Sequence, residues 1–340
     1  MILRGKILRI NYILLFPKYS VKTPVLIYHT YIINQNKKML NQESLQQLKE
    51  RKKIKSALTY ELEPIDARNQ FNKSKLFFPT ENISIKSIQN KNINVNGTKI
   101  NIRIFSDVEN SLQPLLVNFH GGGWVLGDLE ADDSMCRKLA KLTGYKIISV
   151  DYRLAPENKF PIPLQDCYKS LIYFYENSNE FNIDKNNISI CGTSAGGNLA
   201  GAVSLLCRET KNEIIKSQVL FCPVTNNNFE SESYKEFEEG YGLDKKTMKW
   251  FWDHYIDDEI NRFSALNKDT ENTDLPKTFI AIAECDVLKS EALEYYDQIK
   301  EKVHTEMKIY DGALHGFNTE IGNITNAELC MKDIQKFLTN

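Results

Sequence analysis

No apolar run in the 340-residue chain is long enough to cross a membrane. The best candidates, Tyr12 to Phe16 and Val25 to Tyr28, are broken by Pro17-Lys18 and by His29. A spanning helix needs roughly 18–20 apolar residues, so no integral membrane segment is expected. The same stretch lacks a small-residue cleavage site after a basic start. It reads either as a poorly specified N-terminal segment or as an interfacial, lipid-facing anchor. Charge of one sign is also missing. Lys+Arg is 43 and Asp+Glu is 44, for a net charge of -1, which removes the electrostatic case for a nucleic-acid partner. Paired cysteines are missing too. Cys136, Cys167, Cys191, Cys207, Cys222, Cys285 and Cys330 are scattered, odd in number and never in a C-x-x-C pair. A disulfide framework or a zinc site is not expected, and the cytoplasm is the expected compartment. Neither G-x-x-x-x-G-K-[ST] nor a G-x-G-x-x-G opening a first βαβ unit occurs, which argues against a phosphate-binding loop. No internal repeat or low-complexity tract stands out.

What is present is an ordinary globular composition, 42% apolar, in a chain long enough to bury a full core as one domain. Residues 41–60 read as a polar, lysine-rich helix with a thin apolar stripe at Leu45, Leu48 and Ile54. Period-two alternation follows at Ile83 to Ile88 and at Ile100 to Ile104. Asn96-Gly97 between them has the signature of a tight hairpin turn, so the sheet should begin with antiparallel strands. Past Pro114 short apolar runs alternate with helical stretches. Strands are expected at 115–119, 146–150, 188–191, 218–221, 279–283 and 306–310. Helices are expected at 132–143, 164–177, 195–209, 290–302 and 326–338. This is the rhythm of a mostly parallel α/β sheet with helices on both faces and its site at the carboxyl ends of the strands. One aromatic-rich segment interrupts it, from Asn226 to Lys277, with a helical pattern around Lys245 to Asp257. It either covers a pocket or packs a helix face on the core.

Two glycine-rich motifs carry chemistry. Ser194 stands in Gly192-Thr193-Ser194-Ala195-Gly196-Gly197, between an apolar run and a helical pattern. A serine on such a sharp strand-to-helix turn projects its hydroxyl, and the flanking glycines remove clashing Cβ atoms. His120-Gly121-Gly122-Gly123-Trp124 follows an earlier strand. Its backbone can approach a substrate closely, so the N–H groups of Gly122, Gly123 and Ala195 are the candidate oxyanion donors. A serine nucleophile needs a base, expected downstream in the order Ser, acid, His. Of His254, His304 and His315, only His315 sits in a loop just after the last expected strand. The acid should follow the preceding strand. Asp286 is preferred, with Glu284 the runner-up or else a supporting group. His120 adjoins the glycine turn and, with Gly121, reads as its support rather than as the base.

Together these blocks resemble the hormone-sensitive-lipase-like branch of the α/β-hydrolase fold, also called the GDXG or family IV esterases. The resemblance runs from about Leu115 to the C-terminus. It rests on His120 to Trp124; on Asp151-Tyr152-Arg153-Leu154-Ala155-Pro156-Glu157 with Phe160-Pro161; on Gly192 to Gly197; and on His315-Gly316-Phe317 preceded by Asp286. It implies a serine carboxylesterase acting on short- to medium-chain esters, with Ser194, Asp286 and His315 as triad and no metal or organic cofactor. It implies that the block at 151–157 is mainly structural. It also implies a helical cap. Residues 1–75 would be an N-terminal segment and part of that cap, and residues 76–340 a catalytic domain with a cap insertion at about 226–274. Thr193 departs from the pattern, since many members carry Asp there, and the first forty residues match no pattern. The partner expected is a small-molecule ester, with a homodimer left open. An amidase or deacetylase using the same triad, and a catalytically silent ligand-binding receptor on the same fold, are the competing readings.

Overall fold

The computed structural model describes residues 39–54, 56–75, 80–109, 111–257, 259–271 and 273–340. The anchor reading for the first thirty-odd residues lies outside them. Residues 39–340 form one compact unit. Its centre is an eight-stranded sheet: β1 (Ser87–Val95), β2 (Thr98–Ser106), β3 (Gln113–Phe119), β4 (Lys146–Asp151), β5 (Ile183–Thr193), β6 (Ser217–Phe221), β7 (Lys277–Cys285) and β8 (Thr305–Leu314). The spatial order is β1-β2-β4-β3-β5-β6-β7-β8. β1 and β2 pair antiparallel, as do β2 and β4; all other neighbours are parallel.

Strand side chains alternate between two cores, as a period of two requires. Leu115, Val117 and Phe119 enter one core while Leu116 enters the other. Ile280 and Ile282 likewise oppose Phe279, Ala281 and Ala283. Helices cover both faces. On one side lie α3 (Asp133–Thr143) and α9 (Thr325–Thr339), which bury Met135, Leu139, Met331 and Ile334. On the other lie α4 (Ile162–Glu176), α5 (Ala195–Glu209) and α8 (Lys289–Ile299), which bury Leu171, Leu199, Val203 and Tyr295. Burial on both faces explains why the central strands read as continuous apolar runs rather than half-polar ones.

The first strand is displaced from its expected place. The alternation at residues 83–88 predicts a strand there, but β1 begins at Ser87 and runs through the polar stretch to Val95. Asn96 and Gly97 both take left-handed φ, 53° and 85°, the geometry of a two-residue hairpin turn. That turn pairs Val95 with Thr98 and so dictates the partner of β2. β1 is an edge strand with most of its residues exposed, so polar side chains are tolerated. Ile83 instead drops into the core below Arg137, which donates to its carbonyl.

Among the described residues two α-helices precede the sheet. α1 (Gln42–Lys53) lies within the expected 41–60 and is capped by the Asn41 side chain, which accepts from Ser44 N–H at 2.8 Å. α2 (Pro64–Lys75) starts on a proline at its first turn, where the missing N–H costs nothing. Among its described residues, the aromatic segment after β6 holds α6 (Glu232–Glu236) and α7 (Lys245–Tyr255) and no strand before β7. Among the described residues no helix is long and apolar enough to cross a membrane. All seven cysteines are free and buried.

Candidate active site

Four loops at the carboxyl ends of β3, β5, β7 and β8 meet at one place. Ser194 sits between the end of β5 and the start of α5, with φ 59° and ψ -116°. A non-glycine residue in that region is strained and must be held. Here its N–H donates to the Phe221 carbonyl at 2.7 Å, and its own carbonyl accepts from Asn198 and Val224. The turn also needs Gly196. A Cβ there would stand 1.9 Å from the Phe119 carbonyl oxygen at the end of β3.

His315 follows β8 directly. Its Nε2 lies 2.9 Å from Ser194 Oγ and its Nδ1 lies 2.6 Å from Asp286 Oδ2. A carboxylate only accepts, so Nδ1 carries the proton and Nε2 is left to accept from the serine hydroxyl. Asp286 is the first residue past β7 and is buried, with 2% of its side chain exposed. Its other oxygen accepts from Leu288 N–H at 3.0 Å, which fixes the carboxylate plane. The structure therefore brings Asp286, not Glu284, to the imidazole. Glu284 accepts from Gly312 N–H at 2.6 Å and ties β7 to the last turn of β8 before His315. His254 and His304 are elsewhere. His254 donates back to the Trp250 carbonyl within α7, and His304 stands exposed near Glu306.

The glycine turn after β3 lies against this line. The Gly122 carbonyl accepts from Leu126 N–H at 2.8 Å and closes the turn. Among the described residues no acceptor pairs with the N–H groups of Gly122 or Gly123. Ala195 opens α5, where the first N–H groups have no partner within the helix. These three N–H groups are the candidate oxyanion donors. His120 is fully buried. Its Nδ1 donates to the Gly121 carbonyl at 2.8 Å, and its ring stacks on Tyr152 at 4.3 Å. The Tyr152 hydroxyl donates to the His120 carbonyl at 2.8 Å. These contacts tie His120 to the backbone of the glycine turn and to Tyr152.

Several contributors carry no sequence signal. Phe251 of α7 packs face-on against Gly123: a Cβ at Gly123 would stand 2.2 Å from its ring. The same helix stacks Tyr255 on Trp124 at 4.0 Å and buries Met248 and Trp252 in the core. The helix therefore packs its apolar face on the core and, at Phe251, touches the glycine turn. Arg68 of α2 donates to the Val125 and Ala155 carbonyls and pairs with Glu157, pinning the chain beyond the turn. Asn318 donates to the Thr193 hydroxyl at 2.8 Å, so the residue that departs from the family pattern has its own partner. Glu291 of α8 is buried and accepts from Thr225 and Asn226 N–H. Burial pushes its carboxyl well above the usual range. Within the 151–157 block, Arg153 forms a forked pair with the buried Asp166. The Arg153 N–H also donates to Asp166 at 3.1 Å, so the pair fixes side chain and backbone together.

The chain matches known proteins over most of its length. Residues 116–319 match a family model described as the alpha/beta hydrolase fold. A putative alpha/beta hydrolase of Acanthamoeba polyphaga mimivirus is 32% identical over 265 residues, 76% of this chain and 75% of the relative. An arylesterase of Saccharolobus solfataricus is 34% identical over 232 residues, 66% of this chain and 75% of the relative. Among solved structures, a thermostable esterase from Pseudomonas putida superposes with a TM-score of 0.85 at 26% identity, covering 89% of this chain and 98% of that one.

Proposed function

The chain belongs to the α/β-hydrolase family, in its hormone-sensitive-lipase-like branch, and on that premise we propose that Ser194, His315 and Asp286 are the catalytic triad of a carboxylic ester hydrolase. The observation that carries the assignment is the unbroken hydrogen-bonded line from Ser194 Oγ through His315 to the buried Asp286, at 2.9 and 2.6 Å. Relatives named arylesterase and carboxylesterase support the reaction class.

Ser194 Oγ attacks the ester carbonyl carbon while its proton passes to His315 Nε2. The imidazolium so formed is stabilised by Asp286. The carbonyl oxygen becomes an oxyanion and takes hydrogen bonds from the N–H groups of Gly122, Gly123 and Ala195, each of which contributes about 3–4 kcal/mol to the transition state. The C–O bond to the alcohol breaks, and the leaving oxygen takes the proton back from Nε2. A water molecule then attacks the acyl-enzyme with His315 as base, and the carboxylic acid leaves. The substrate is a small-molecule ester of short to medium acyl chain, with Phe251 against Gly123 narrowing the space beside the reacting carbon. Residues 226–274 and the N-terminal helices serve as the cover of the site. Seven buried free thiols fit a reducing cytoplasm.

Ser194→Ala should abolish hydrolysis of p-nitrophenyl acetate by the purified protein and abolish labelling by a fluorophosphonate. Undiminished hydrolysis in that variant would overturn the mechanism.

A further inference from the structure

A thiol stands beside the triad and takes no part in the reaction above. Cys222 follows β6 directly. Its sulfur, a carboxylate oxygen of Asp286 and a ring nitrogen of His315 all lie within 4.8 Å of one another. This is the one such group of three among the described residues. Cys222 has a left-handed backbone, φ 41°, and its N–H donates to the Ala281 carbonyl at 2.8 Å. The strand ends of β6 and β7 thus set where the thiol stands. Cys222 and Asp286 are buried, while 15% of the His315 side chain is exposed, which gives an ion its way in.

We propose that Cys222, Asp286 and His315 bind a thiophilic divalent cation such as Zn2+, and that the bound ion switches hydrolysis off. The inference rests on His315 being the base. Thiolate, imidazole and carboxylate are the ligand types of zinc, at about 2.0–2.3 Å. Tetrahedral bonds of that length hold ligand atoms roughly 3.3–3.8 Å apart. Cys222 must therefore close in, and the 2.6 Å contact between Asp286 and His315 must open to admit the ion. The thiol gives one proton to solvent. The imidazole stays neutral, but its proton moves from Nδ1 to Nε2 as Nδ1 takes the metal. Nε2–H donates and no longer accepts, so it cannot receive the Ser194 proton. The fourth metal position is left to water.

The test titrates the full-length protein with Zn2+ while following p-nitrophenyl acetate hydrolysis, with Mg2+ as the hard-cation control. In parallel, Cd2+ is added and the thiolate-to-cadmium charge-transfer band is recorded. Zn2+ should inhibit, EDTA should restore activity, and the band should form in the wild type and in Ser194→Ala alike. Cys222→Ala and Cys222→Val should each weaken inhibition by at least about tenfold and remove the band. Inhibition is read as the ratio of rates with and without ion, and the band alone decides for a variant that does not hydrolyse. Cys285→Ala is the control, because Cys285 packs in the core on the opposite face of the sheet from Cys222. Inhibition undiminished in both Cys222 variants, or no cadmium band, overturns the site. A Cys222-dependent band with hydrolysis untouched overturns the block on His315 and shifts the fault to its reading as base.

Discussion

Asp286→Asn separates the geometry of the candidate triad from its proton arrangement. Asp286 Oδ1 accepts from Leu288 N–H at 3.0 Å and Oδ2 faces His315 Nδ1 at 2.6 Å. An asparagine has one acceptor oxygen and one amide donor. The Leu288 N–H is buried and needs an acceptor, so the amide oxygen turns toward it and the NH2 group faces the imidazole. Nδ1 must then accept, which puts the imidazole proton on Nε2, pointing at Ser194 Oγ. The shape of the site survives and the base is lost. In a triad of this type the wrong tautomer lowers kcat by about 10⁴, which is about 5 kcal/mol at roughly 1.4 kcal/mol per tenfold. KM should change little, because Asp286 does not touch the substrate. The assay is steady-state hydrolysis of p-nitrophenyl acetate, with thermal unfolding as the check on folding. Glu284→Gln is the comparator. Its side-chain oxygen can still accept from Gly312 N–H, so activity should stay close to wild type. A loss of less than about tenfold in Asp286→Asn, or inactivation by Glu284→Gln instead, would refute the assignment of the acid.

Gly123→Ala should lower kcat about 100-fold, the scale of losing one oxyanion donor, because its Cβ would stand 2.2 Å from the Phe251 ring at φ 60°. Adding Phe251→Ala to that variant should restore part of the rate; a double variant no faster than Gly123→Ala would sink the steric account. Glu157 gives a pH dependence. Its hydrogen bonds from Arg68 hold its carboxyl at about 2 in the folded protein, below the ordinary 4.5. A depressed folded value contributes stability above the unfolded pKa and loses it as pH falls through the folded one. The gap in unfolding temperature between wild type and Glu157→Gln should therefore be full at neutral pH and shrink between about pH 4.5 and 2. Glu157 is largely exposed, so the gap should be small; a gap that widens on acidification contradicts the pairing.

The sheet was legible in the sequence wherever burial is symmetric. The central strands lie between two apolar cores, and a run as short as Leu115 to Phe119, flanked by Pro114 and a glycine turn, reads as a buried strand rather than a helix. Legibility failed at the edge. The residues of β1 are mostly polar and exposed, and its register comes from the Asn96-Gly97 turn, so the more regular alternation at 83–88 misled. The hydrogen-bonded line of Ser194, His315 and Asp286 was legible because each of the three directly follows a strand. Phe251, Arg68 and Cys222 were not. Arg68 is one lysine-or-arginine among 43, and its two carbonyl partners are 57 and 87 residues away. Phe251 looks like any apolar position of an amphipathic helix until the glycine beneath it is seen. Cys222 reads as one more buried hydrophobe.

Two of the motif glycines, Gly121 and Gly196, answer to the neighbouring turn rather than to a substrate. A Cβ at Gly196, in the serine turn, would strike the Phe119 carbonyl just before the oxyanion turn. A Cβ at Gly121, in the oxyanion turn, would stand 3.0 Å from the carbonyl of Thr193, next to the serine. β3 and β5 are parallel neighbours, with Phe119 in register with Gly192, so their two exits must pass within van der Waals contact. Close packing of the turns leaves no room for a side chain between them at Gly121 or Gly196. It also explains why the scaffold is anchored from outside, by Tyr152 under His120 and by Asn318 on Thr193. Turns that rest on each other cannot be adjusted one at a time. Substitutions at Gly121 and Gly196 should therefore damage both the nucleophile and the oxyanion donors together, as a single coupled loss rather than two additive ones.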